Sequence, residues 1–153
     1  MKRGHVVVAS VIVLTIGVVV WNIQHPDLPG EKAPVSDQEA TKNELASMEY
    51  LLGVAIELNK TLPVTVDRET ELRSVDALEG ELIYNYVLLN YTSSDIVANE
   101  FLAALTPVVR KQACSNVKLD RFWENGVSAT YSYSANDDKW IGKIIVTPNQ
   151  CGY

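Results

Sequence analysis

Histidine occurs only at positions 5 and 25, so residues 26 to 153 must do any chemistry without an imidazole. That removes Ser-His-Asp and Cys-His nucleophilic catalysis and the usual zinc ligand sets. Carboxylate, tyrosine, lysine and serine chemistry is left. Acid is concentrated at Asp67, Glu69, Glu71, Asp76, Glu79 and Glu81. A carboxylate pair there, for example Asp67 with Glu71, would support hydrolysis if the two groups faced each other roughly 5 to 10 Å apart in a cleft. The same oxygens could bind Ca²⁺, but the EF-hand spacing is absent and Arg68 and Arg73 are interleaved as ion partners, which favours a solvated edge. Asn136-Asp137-Asp138 has turn composition before it has that of a cation site. There is no nucleophile or metal motif, and no cofactor is expected.

Aromatic residues supply the second set of candidates. Tyr84, Tyr86, Tyr91, Tyr131 and Tyr133 fall in segments that read as strands, where they either pack across strands or line a groove for a peptide or glycan. Tyr131, Tyr133 and Trp140 form the candidate contact surface. Trp123 is of the same kind. Arg110-Lys111, near a helix C-terminus, fits a favourable dipole interaction better than a binding patch. Asn59-Lys60-Thr61 and Asn90-Tyr91-Thr92 match the glycosylation sequon, which matters only in a eukaryotic secretory pathway.

The two cysteines, Cys114 and Cys151, are far from C-x-x-C spacing, which disfavours thioredoxin-like activity. Outside the cytoplasm a lone pair is expected to be oxidised, with free thiols or a redox or metal role as the alternatives.

Charge and hydropathy say where these residues must work. Val6 to Trp21 carries no charge; Lys2 and Arg3 precede it, and all 19 acidic residues follow, beginning at Asp27. Gly4 to Ile23 is long enough, at about 30 Å as a helix, to cross a hydrocarbon core. No A-x-A-like cleavage triplet follows, and Trp21 suits the interfacial belt. The expectation is an uncleaved anchor, with a cleaved signal or a buried core helix as alternatives. Positive residues stay inside, so the N-terminus is placed in the cytoplasm and the bulk of the chain beyond it. Without Lys2 and Arg3 the chain holds 11 basic against 19 acidic residues, about −8, which argues against a nucleic-acid binder. The mean hydropathy of +0.02 averages this anchor with an ordinary domain.

The expected organisation is residues 1–4 cytoplasmic, 5–24 transmembrane, 25–35 a Pro-rich linker and 36–153 an extracytoplasmic domain. Ser36 with Glu39 reads as a capping box. Leu45, Met48, Leu52, Ala55, Ile56 and Asn59 follow at helical spacing, with the apolar stripe taken as core and Pro63 as the stop. Glu71–Leu78 and Glu81–Tyr91 flank Glu79-Gly80 as a hairpin. A second helix runs from Ser93-Ser94-Asp95 to Cys114, kinked or divided at Pro107. A short helix over Lys118–Asn125 ends at Gly126. Val127, Ala129, Tyr131 and Tyr133 alternate with Ser128, Thr130, Ser132 and Ser134 as a half-exposed strand, and Trp140–Thr147 returns as another. This order predicts an α+β domain with helices on one face of a roughly four-stranded antiparallel sheet.

Leu58-Asn59-Lys60-Thr61-Leu62-Pro63, Val66-Asp67-Arg68-Glu69-Thr70-Glu71-Leu72, Tyr84-Asn85-Tyr86, Val109-Arg110-Lys111-Gln112-Ala113-Cys114, Asn125-Gly126-Val127 and the terminal Cys151 resemble a group of short exported bacterial proteins without an assigned function. The resemblance covers roughly residues 55 to 152 and implies an extracytoplasmic domain with one disulfide. A more distant likeness, in size, single disulfide and α+β build, is to the small pilotins of secretion systems. Neither implies catalytic residues. The expected function is a non-enzymatic, membrane-anchored periplasmic module that binds a protein, possessing the acidity to suit a basic partner, of assembly-factor or toxin-immunity type. The alternatives are a carboxylate-dependent hydrolase and a small-molecule or lipid carrier.

Overall fold

Ser47 starts the first helix by accepting a hydrogen bond from the Tyr50 N–H at 3.3 Å, and α1 runs Met48–Asn59 in a computed structural model that describes residues 44–153. The expected anchor, linker and Ser36–Glu39 box lie outside the described residues. The buried stripe of α1 is Leu51, Val54, Ala55 and Leu58, whereas Met48, Leu52 and Ile56 are exposed. Of the expected core stripe Ala55 is buried, while Met48, Leu52 and Ile56 face outward. This helix is apolar nearly all round, so spacing alone does not fix which side faces in.

Four of the five strands correspond to expected segments and one does not. β1 (Val64–Thr65) is a two-residue edge strand, followed by β2 (Thr70–Leu78) and β3 (Glu81–Leu88), the hairpin predicted around Glu79-Gly80. A 3₁₀ turn over Ser93–Asp95 leads to α2 (Ala98–Ser115), which continues through Pro107 undivided. A second 3₁₀ turn (Val117–Leu119) and α3 (Asp120–Glu124) precede Gly126, whose φ of 80° suits a residue without a Cβ. β4 (Ser128–Ala135), β5 (Trp140–Val146) and the short α4 (Pro148–Cys151) complete the chain.

The sheet has five strands in the order β1-β2-β3-β4-β5 and is mixed, which corrects the expected four antiparallel strands. β3 and β4 pair in parallel, Glu81 with Ser128 through Leu88 with Ala135. The cause is the segment between them: α2 and α3 carry the chain back to the end from which β3 started, and such a crossover makes neighbouring strands parallel. Beyond β1, the open edge of β2 is met by Asn59, whose amide donates to Val75 O and accepts from Val75 N, both at 2.8 Å. A side chain thus takes the place of a missing strand.

The helices share one core with one face of the sheet: Leu51, Val54, Phe101, Leu105 and Trp123 join Leu72, Val75, Leu82, Leu88, Tyr133 and Val146. Each such Leu or Val is worth about 1.5–3 kcal/mol of burial. Val87 is buried outside this cluster, on the opposite face. Among the described residues no helix is long and apolar enough to cross a membrane. Cys114, in the last turn of α2, is bonded to Cys151 of α4, with Cα atoms 5.0 Å apart, so the expected disulfide is present and pins the C-terminus to α2.

Candidate protein-contact face

With the helices of the described residues on one side, the alternate residues of the central strands form an outer face. Register aligns them in three rows: Asp76, Ile83, Thr130 and Ile145; Ser74, Asn85, Ser132 and Lys143; and Glu71, Val87, Ser134 and Trp140. Trp140 is 63 % exposed and Ile145 43 % exposed. Around them several polar groups are paired. Asn85 Nδ2 donates to Asp76 Oδ2 at 2.6 Å and Ser74 Oγ at 3.1 Å, the Thr130 hydroxyl donates to Glu81, and Trp140 Nε1 donates to Ser132 Oγ at 3.3 Å. Fixed polar groups around an exposed indole and isoleucine are the composition of a preformed surface with an aromatic at its edge.

Trp140 faces outward because of a bulge. Tyr133 pairs with Gly142 and Ser134 with Trp140, leaving Ile141 as the extra residue. Strict alternation with Ile144 and Val146, both buried, would turn Trp140 inward; the extra residue reverses it. The adjoining turn is held by Asp137, which accepts from Ser93 Oγ at 2.8 Å and Ser93 N at 3.2 Å. The Ser93 hydroxyl bond holds the Asp137 carboxyl below its ordinary range.

Tyr131 and Tyr133 do not join Trp140, which corrects the expected three-residue surface. They are 7 % and 2 % exposed and point into the helix-covered core. Tyr84, Tyr131, Tyr86 and Tyr133 stack as a ladder across β3 and β4, with successive centroids 5.5, 6.3 and 5.3 Å apart. Phe101 closes it edge-on to Tyr133. Burial raises the Tyr84 phenol to about 12. Burial first, and neighbouring phenols second, hold Tyr86 and Tyr131 well above the ordinary phenol value. The cause is the parallel register, which sets tyrosines of the two central strands side by side.

The proposed carboxylate pair is engaged elsewhere. Asp67 Oδ1 accepts from the Glu69 N–H at 2.7 Å within its own loop, and Glu71 meets Arg73 at 3.4 Å on the outer face. Arg73 also meets Asp138 at 3.3 Å. Among the described residues no group of three or more His, Cys, Asp or Glu is arranged to hold a metal ion. A second apolar surface, unsuspected from sequence, is the stripe Met48, Leu52 and Ile56 on the outside of α1.

No protein-family model matches the sequence. No curated protein matches it either. Solved structures do share its fold. A protein of Pseudomonas aeruginosa described as secreted is 17 % identical, with a TM-score of 0.59 over 74 % of this chain and 99 % of its own. The type 2 secretion system pilotin EpsS of Vibrio vulnificus is 11 % identical, with a TM-score of 0.59 over 75 % and 99 %. The type II secretion system pilotin AspS of Vibrio cholerae is 14 % identical, with a TM-score of 0.54 over 72 % and 95 %. At these identities the likeness is one of fold, and it agrees with the resemblance read from the sequence.

Proposed function

We propose that this chain is a non-enzymatic protein-binding module of the bacterial envelope, held at the inner membrane by residues 5–24 with its C-terminal domain in the periplasm. The observation that carries the reading is the sheet face that no helix among the described residues covers, with Trp140 exposed at its edge and Ile145 exposed on the same face. Large exposed aromatics on preformed surfaces are the usual anchors of protein contacts. The fold shared with two secretion-system pilotins supports an assembly role. Excess acid outside the first three residues favours a basic partner.

The test is site-specific photocrosslinking from position 145 in intact cells, followed by pull-down and mass spectrometry. A discrete adduct with one envelope protein is expected, falling at least about tenfold in Trp140→Ala, since an aromatic anchor is worth 2 kcal/mol or more. Recovery of the uncrosslinked chain alone, under conditions that trap known envelope complexes, would end the proposal.

A further inference from the structure

One edge of the sheet is closed by the molecule itself and the other is not. β1 and the Asn59 amide occupy the free edge of β2, whereas among the described residues no strand lies beyond β5. At the mouth of the β4–β5 turn the Ala135 N–H donates to Lys139 O at 2.9 Å. Counted from that pair and past the bulge at Ile141, the alternation of an antiparallel ladder turns the amides and carbonyls of Trp140, Lys143 and Ile145 away from β4. Among the described residues nothing is hydrogen-bonded to them. Such a row of open backbone groups is a template for a further strand.

The side chains of the same residues give this edge a chemistry. Opposite Ser134, Ser132 and Thr130, at every second position, stand an exposed indole, an ammonium and an exposed isoleucine. Lys143 is the one charge on β5, and among the described residues it meets no carboxylate. The strand acids Glu71, Asp76 and Glu81 lie on β2 and β3, with β4 between, and the turn acids Asp137 and Asp138 meet Lys139 and Arg73.

We propose that β5 takes an extended segment of the partner as an added strand, reading the pattern apolar, any, acidic, any, apolar. The acidic residue sits opposite Lys143 and the apolar ones opposite Trp140 and Ile145, where cross-strand pairs on one face meet. The chain's excess acid acts at long range and Lys143 at contact, so a basic partner with one such acidic position fits both. A second copy is the poorer occupant, because antiparallel overlap along the whole of β5 sets Lys143 opposite Lys143. This inference rests on the proposed contact of the outer face and names the element through which the partner binds.

The probe is the peptide acetyl-Thr-Val-Thr-Glu-Thr-Val-Thr-amide, titrated into the full chain and followed by backbone amide and Trp140 indole resonances. Saturable binding is expected, with slowed hydrogen exchange at Trp140, Lys143 and Ile145 and no change at Ile144 and Val146, whose amides face β4. The counterpart with lysine in place of glutamate should bind about fivefold more weakly, and Lys143→Glu, an exposed change, should reverse that order. N-methylation of the valine and glutamate amides, or instead of the threonine amides between them, should abolish binding in one case only, because one edge of the peptide faces β5. Binding indifferent to both N-methylations would reduce the contact to side chains and overturn the proposal. No saturable binding overturns it too, as does protection of the same amides that grows with chain concentration without peptide, which would give the edge to a second copy. A crosslinked adduct from position 145 in cells together with no peptide binding keeps the partner contact and overturns the added strand.

Discussion

The tyrosine ladder is the residue-scale feature with the clearest measurable signature. Seven tyrosines are present, and four of them are stacked in the core, where ionisation would bury a charge. A phenol whose folded pKa is raised contributes stability that is fully present below its unfolded value of 10.0 and is lost as pH rises through the folded value. For Tyr84 that window runs from about 10 to about 12. Spectrophotometric alkaline titration should therefore show the four core phenols ionising together with loss of near-ultraviolet dichroism, after the exposed ones. Reversible ionisation of all seven near the ordinary value with the fold intact would contradict the burial. The alternation of Tyr131 and Tyr133 with Ser128, Thr130, Ser132 and Ser134 was already visible in the sequence. What it did not reveal is which side the helices cover, so packing and contact both stay open for the tyrosines on sequence alone; they pack in the core, and among the described residues the serine side is the open one. Trp140 was placed correctly at a strand start, but its outward direction depends on the bulge at Ile141, which no periodicity signals.

At the scale of elements, local signals were legible and non-local ones were not. Gly80 and Gly126, both with φ in the left-handed region, marked the β2–β3 turn and the end of α3. The two-residue β1 and the parallel β3–β4 pairing carry no local signature, because each depends on where a distant segment returns. The disulfide was accessible by cysteine arithmetic, and its energetic weight follows from its loop. It spans 37 residues, enough to stabilise the fold by about 3 to 4 kcal/mol in the chain-entropy picture. Cys114→Ser with Cys151→Ser should lower the unfolding free energy by about that amount in denaturant titration. The wild-type chain should shift mobility between reduced and non-reduced gels, and the double variant should not. An unchanged denaturation midpoint in the double variant would show that packing alone holds α4 against α2.

For the molecule as a whole, the proposed placement predicts a membrane-fraction protein of intact mass 16.9 kDa, resistant to carbonate extraction. A periplasm-dependent enzyme fused after Tyr153 should be active, and a cytoplasm-dependent one silent. A mature species lacking the apolar segment would replace the anchor with a cleaved signal and leave the described domain unchanged. The charge distribution is the sequence feature from which this topology is proposed, whereas the candidate face was legible only in composition, because it is made by register across strands that the sequence lists far apart. The parallel crossover also sets an order of events. The β2–β3 and β4–β5 hairpins join neighbouring segments and can close quickly, while the partners Glu81 and Ser128 meet only after α2 and α3 have folded back between them. The Cys114–Cys151 loop encloses α3, β4 and β5 but neither β2 nor β3. Oxidation can therefore lock the C-terminal half before the sheet is joined at its centre, and a newly made chain caught at that stage would present the unpaired edges of β3 and β4, the interval in which it most needs protection.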